Sequence, residues 1–135
     1  MTREDKELLL KDLCARLPYN PLISINGERY RMEEIRNALI GINAYKITVD
    51  GCDIEYMNIK PYLFPLSSMT EEQKKEYNYW KHEVPVCRYE YGDVVEEIEL
   101  NDSPESFEYL IENHFDYRGL IEKGLAIDAT GLNIY

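Results

Sequence analysis

Lysine and arginine are missing altogether between Tyr89 and Tyr117, a window that holds ten carboxylates: Glu90, Asp93, Glu96, Glu97, Glu99, Asp102, Glu105, Glu108, Glu112 and Asp116. The lack is regional, because residues 1–88 carry 14 acids against 13 bases and residues 118–135 two of each. A net charge of −11 disfavours direct binding to nucleic acid or anionic lipid, since affinity for phosphate comes from clustered Lys and Arg. The three cysteines, Cys14, Cys52 and Cys87, are odd in number and have no paired spacing, which argues against a disulfide framework and for reduced thiols. No apolar run approaches the roughly 20 residues needed to cross a bilayer. The opening Met1-Thr2-Arg3-Glu4-Asp5-Lys6 is too charged for a signal peptide, so a cytoplasmic address is expected. The seven glycines stand singly, with neither G-x-G-x-x-G nor G-x-x-x-x-G-K-[ST], which excludes the common phosphate-cradling loops.

What is present is a globular composition: 135 residues, 44% apolar and 30% charged, with twelve tyrosines able to bury a ring and wet an oxygen. That length suits one domain spanning 1–135. Thr2 and Asp5 form a capping signal for a helix in which Leu9, Leu10, Leu13, Cys14 and Leu17 share a face while Glu7, Lys11 and Asp12 point away; Pro18 ends it. Asn26-Gly27 predicts a hairpin over Ile23 to Arg31, and Asp50-Gly51 a second between Ala44–Val49 and Cys52–Met57. Met32 to Ile42 reads equally as strand or short helix. Ile59 to Ser68, with prolines at 61 and 65, reads as an ordered extended segment crossing the sheet.

Thr70 with Gln73 makes a capping box for a helix running to about Lys81, with Gln73, Tyr77 and Trp80 on one side. A third hairpin is expected from Val84–Tyr91 and Val94–Leu100 around a Gly92-Asp93 turn. Ser103-Pro104 starts a helix that gathers Phe107, Leu110, Ile111 and His114 on one side and Glu105, Glu108 and Glu112 on another. Asp116 to Lys123 reads as one more short helix stopped by Gly124. The expected class is α+β: an N-terminal helix, a small, mostly antiparallel sheet of hairpins with closure into an SH3-like barrel as one option, and C-terminal helices.

Three stretches, Lys11-Asp12-Leu13-Cys14-Ala15-Arg16-Leu17-Pro18-Tyr19, Lys60-Pro61-Tyr62-Leu63 through Pro65 and Ser67-Ser68-Met69-Thr70-Glu71-Glu72, and His114-Phe115-Asp116-Tyr117-Arg118-Gly119-Leu120-Ile121-Glu122-Lys123-Gly124-Leu125-Ala126, resemble small uncharacterised proteins of prophages and mobile elements in Bacteroides-type gut bacteria. They cover about a third of the chain. The resemblance implies a genetic setting and assigns no activity.

No reaction signature emerges. Among the metal-ligating types His82, His114, Cys14, Cys52 and Cys87, only His82 and Cys87 lie close, whereas zinc usually takes two close pairs. Asp93 and Asp102 lack the spacing of a calcium loop. His114 is expected to be a satisfied, half-buried histidine on an apolar face, and Cys14 an inert core thiol. G-x-S-x-G is missing and no cysteine has an evident basic neighbourhood. Hence no catalytic, cofactor or metal residue is singled out, and a non-enzymatic role is preferred.

The acidic window has three readings: a solvated face that keeps the domain soluble, a surface matched to a basic partner, and divalent-cation binding. The first is what such a charge run usually means; the functional hypothesis is built on the second, as an accessory protein of a phage or mobile element whose contact charges are Glu96, Glu97, Glu99, Glu105, Glu108 and Glu112. Mimicry of duplex DNA is a narrower version. A ten-residue helix about 15 Å long with three glutamates is sparse beside one charge per about 1.7 Å. Two alternatives stand beside it: a small hydrolase using a carboxylate pair in a tyrosine-lined pocket, and a homo-oligomeric piece using Pro61 to Leu66 as an apolar contact.

Overall fold

The computed structural model describes residues 2–31, 46–49, 52–55 and 59–135, with backbone alone for 46–49 and 52–55. It divides into two compact units, one made of residues 1–68 and 111–135 and the other of the continuous stretch 69–110. The class is α+β, with an N-terminal helix, mostly antiparallel strands and further helices later in the chain.

The first unit opens with α1 (Arg3–Arg16). The Thr2 hydroxyl accepts the Asp5 N–H at 3.1 Å and Asp5 reaches back to the Thr2 N–H, completing the expected capping box. A 3₁₀ turn over Leu17–Tyr19 follows, with Pro18 inside it. Strands β1 (Leu22–Ile25) and β2 (Glu28–Arg31) pair antiparallel. Their Asn26-Gly27 turn has φ of +52° and +86°, the double positive φ for which Asn-Gly is suited. Strands β3 (Lys46–Val49) and β4 (Cys52–Glu55) pair as the second hairpin, Val49 opposite Cys52. The remainder of that expectation, and Met32 to Ile42, lies outside the described residues.

Strand β5 (Ile59–Pro65) corrects one expectation. The proline segment does not merely cross the sheet; it is the sheet's middle strand. β5 pairs antiparallel with β1 and parallel with two short strands, β8 (Phe115–Asp116) and β9 (Ile127–Asp128). Each neighbour takes a different two- or three-residue stretch of β5, so a proline removes one donor without breaking a long continuous ladder.

The core lies on both parts of β5. Leu9 and Leu13 of α1 pack with Ile23, Ile25 and Ile59, flanked by Leu10, Leu17 and Tyr30. Leu63 packs with Leu120, Leu125 and Ala126, flanked by Leu8 and Ile121. Burying each such aliphatic side chain is worth about 1.5–3 kcal/mol. Far from β5 in sequence, the Tyr135 hydroxyl accepts the Leu22 N–H at 2.8 Å and donates to the Tyr62 carbonyl at 2.9 Å, fastening the seam between β1 and β5.

The expected helix from Asp116 to Lys123 is instead a run of turns. The Asp116 carboxylate accepts the N–H groups of Leu120 and Ile121, both at 2.9 Å. That capture folds the chain back before a helical ladder can propagate.

The second unit contains α2 (Glu71–Tyr79), the strands β6 (His82–Glu90) and β7 (Asp93–Asn101), and most of α3 (Pro104–Glu112). Thr70 and Gln73 cap α2 reciprocally, as the sequence predicts. The hairpin turn differs from expectation. The residues between the paired Glu90 and Asp93 are Tyr91 and Gly92, with φ of +50° and +85°, a turn with positive φ at both positions rather than a Gly92-Asp93 turn.

Among the described residues the strands do not close into a barrel. They form a five-stranded sheet and two separate two-stranded ribbons, so the SH3-like option is not realised. No helix among the described residues is long and apolar enough to cross a membrane.

Candidate functional site

The charge imbalance is concentrated in the second unit. Residues 69–110 hold twelve carboxylates and four Lys or Arg, which accounts for −8 of the chain's −11. The β6–β7 ribbon carries much of it. Period-two alternation along paired strands sends neighbouring residues to opposite faces, and the register decides who shares a face. One face joins Val84 with Glu99, Val86 with Glu97 and Arg88 with Val95. Its valines are half-buried, and Arg88 and Glu97 form an ion pair across the strands.

The other face joins Glu83 with Leu100, Pro85 with Ile98, Cys87 with Glu96 and Tyr89 with Val94. Its apolar side chains face water: Tyr89 is 82% exposed, Ile98 69% and Val94 59%. An isolated two-stranded ribbon with a bare apolar face is an uncommon arrangement, because such ribbons are marginally stable and soluble proteins seldom leave contiguous apolar surface uncovered.

Helix α3 starts with reciprocal serine capping. Ser103 accepts the Ser106 N–H through its hydroxyl at 3.0 Å and donates its own N–H to the Ser106 hydroxyl at 2.7 Å. The Ser103 hydroxyl also donates to the Trp80 carbonyl. The buried side of α3 is Ser106, Tyr109 and Leu110, while Phe107, expected inside, is exposed. Tyr109 wins that place because its ring packs edge-on against Tyr77, centroids 6.3 Å apart, and its hydroxyl donates to Glu76 at 2.8 Å. The Tyr77 hydroxyl likewise donates to Asp102. Burial first, and then the adjacent carboxylate, pushes both phenols upward, Tyr109 to about 12.

The six expected contact charges therefore do not share one face. Glu96 lies with the exposed apolar residues, whereas Glu97 and Glu99 sit on the opposite side of the ribbon, Glu97 already paired with Arg88. Glu105, Glu108 and Glu112 are exposed at i, i+3 and i+7 of α3, the spacing that sets them along one stripe.

A second charged cluster lies in the first unit, and the sequence reading misplaced its central residue. Asp12, expected to face water, is fully buried between two guanidinium groups. Arg16 Nε donates to it at 2.8 Å and Arg118 Nη1 at 3.0 Å, while Arg16 Nη2 donates to the Phe115 carbonyl at 2.7 Å. The i,i+4 spacing of Asp12 and Arg16 was the available signal; the third partner, 106 residues away, was not visible locally.

Beside this cluster the His114 ring stacks on Tyr135 at 3.8 Å. His114 is half-buried as expected, but its Nδ1, like Arg16 Nη1, has no hydrogen-bond partner among the described residues. Burial, then the positive charges of Arg16 and Arg31, pull its pKa down to about 4. Burial raises the pKa of Cys14, and neither Cys14 nor Cys87 is joined in a disulfide. Among the described residues no group of three or more His, Cys, Asp or Glu is arranged to hold a metal ion. No family model, curated protein or solved structure matches the chain.

Proposed function

We propose that this chain is a non-enzymatic binding protein that engages a basic macromolecular partner through its acidic unit. The observation that carries the reading is the segregation of charge: −8 resides in 42 contiguous residues that fold as one compact unit, while the rest of the chain holds −3. Glu96, Glu99, Glu105 and Glu108 are its exposed contact charges, with exposed Glu112 just beyond it in sequence on α3, and Glu97 contributes less because it shares its charge with Arg88. The same field repels nucleic acid and anionic lipid and speeds encounter with a cationic protein. An accessory role for a phage or mobile element, in the cytoplasm, belongs to the same proposal.

The two alternatives have less to support them. A homo-oligomer built on Pro61 to Leu66 would need residues that are spent in the sheet, since Pro61, Tyr62 and Leu63 are buried. A carboxylate-pair hydrolase would draw on Glu76 and Asp102, and each already accepts a tyrosine hydroxyl.

Capture of partners from host lysate at low and high salt tests the reading, using the wild type and a variant with Glu96, Glu99, Glu105, Glu108 and Glu112 changed to Lys. Capture should fall with salt and vanish in the variant. Capture indifferent to both would defeat it.

A further inference from the structure

We infer that the bare face of the β6–β7 ribbon is a seat for one kind of occupant: a protein segment with apolar residues along one side and Lys or Arg flanking them. The inference rests on the basic-partner reading above and adds where and how that partner sits. Pro85, Cys87 and Tyr89 on β6 and Val94, Ile98 and Leu100 on β7 form a continuous apolar strip. At about 3.3 Å per residue the nine-residue strands extend about 30 Å, the length of a helix of about 20 residues. Glu96 lies at the β7 edge of the strip and Glu83 at its end, whereas Glu90 and Asp93, paired beside the turn, belong to the opposite face. An apolar centre with a charged rim is the ordinary anatomy of a protein–protein interface.

Charge decides between the possible occupants. A second copy meeting this face through a two-fold axis would set the patch against itself, gathering Glu83 and Glu96 of both copies in one interface with no cation from the same face among them. Like charges at an interface are costly. A flanking Lys or Arg on a different chain turns Glu83 and Glu96 from a penalty into an attraction. A purely cationic chain would leave Ile98, Tyr89 and Val94 in water, so the partner must also be apolar on one side.

The test uses the full chain, fluorescence anisotropy and three synthetic peptides of equal length. One carries an apolar stripe flanked by Lys, the second the same residues scrambled, and the third the same stripe flanked by Glu. The first should bind at least about tenfold more tightly than the other two. Ile98→Thr, which keeps a β-branched side chain in the strand, should weaken it about tenfold, the loss expected for a central contact. Amide shifts in an NMR titration should fall on residues 83–100, with circular dichroism confirming that the variant is folded. Equal binding of the scrambled peptide would overturn the seat and leave the electrostatic reading standing. Failure of every Lys-bearing peptide to bind would remove both. Concentration-dependent dimerisation abolished by Ile98→Thr would assign the face to a second copy and overturn the proposed occupant.

Discussion

The two units put the same kinds of side chain to opposite uses. In the unit of residues 1–68 and 111–135, Asp12 is fully buried with Arg16 and Arg118 around it, and leucines and isoleucines fill the space between α1 and β5. In residues 69–110 the carboxylates outnumber cations three to one and the ribbon leaves Ile98, Val94 and Tyr89 in water. A charge inside a core must be neutralised on the spot, whereas a charge on an open ribbon can act at a distance. The first unit is therefore sensitive to single side-chain losses, and the second leaves most of its charges in water.

The sharpest way to break this contrast is Asp12→Ala, which strands the buried Arg16 without a counter-charge. A loss of about 3–5 kcal/mol is expected, read from the urea midpoint. The equivalent cut on the ribbon, Glu97→Ala, should cost under about 1 kcal/mol because the Arg88 pair is solvent-exposed. Comparable values for the two would erase the distinction. Next comes Leu63→Ala, expected to cost about 2–5 kcal/mol for a side chain with no exposure, against under about 0.5 kcal/mol for Ile98→Ala.

His114 sharpens the comparison through pH. Its folded pKa lies near 4 against 6.5 ordinarily, so between those values the unfolded chain binds more protons and acid favours unfolding. The contribution is complete above pH 6.5, falls as pH drops towards 4 and levels below that. It amounts to about 2 kcal/mol once the ring's partial exposure is allowed for. The difference in stability between wild type and His114→Asn, followed by urea titration from pH 7 to 4, should narrow on acidification; a constant difference would contradict it. The smallest effect is Thr2→Ala, which removes a helix cap for about 1 kcal/mol, measured by thermal melting.

Features that depend on neighbours in the chain were legible. Thr2 with Asp5, Thr70 with Gln73, Asn26-Gly27 and Ser103-Pro104 each specify a local geometry, and each occurs. Features decided by distant residues were not. Asp12 reads as solvent-facing until Arg118 arrives, and Pro61 looks like an interruption until β1, β8 and β9 divide its strand between them. Asp116 belongs to a different failing, since its side chain took two amides that a helix would have used otherwise. The charges of the candidate site were plain in the sequence. The apolar half of it was written in the alternation of Val94, Glu96, Ile98 and Leu100, but only the pairing with Pro85, Cys87 and Tyr89 turns that alternation into a surface.

The interruption of the first unit by residues 69–110 has a kinetic consequence. β5 meets its parallel neighbours only after about fifty further residues have been synthesised, and the Tyr135 clasp on Leu22 closes a span of 113. Contacts so far apart in sequence slow folding, whereas the β6–β7 ribbon is wholly local. During translation the acidic segment is ready to fold while the earlier strands still await their last partners, leaving Ile59 and Leu63 open to chaperones until residues 115–128 have emerged from the ribosome.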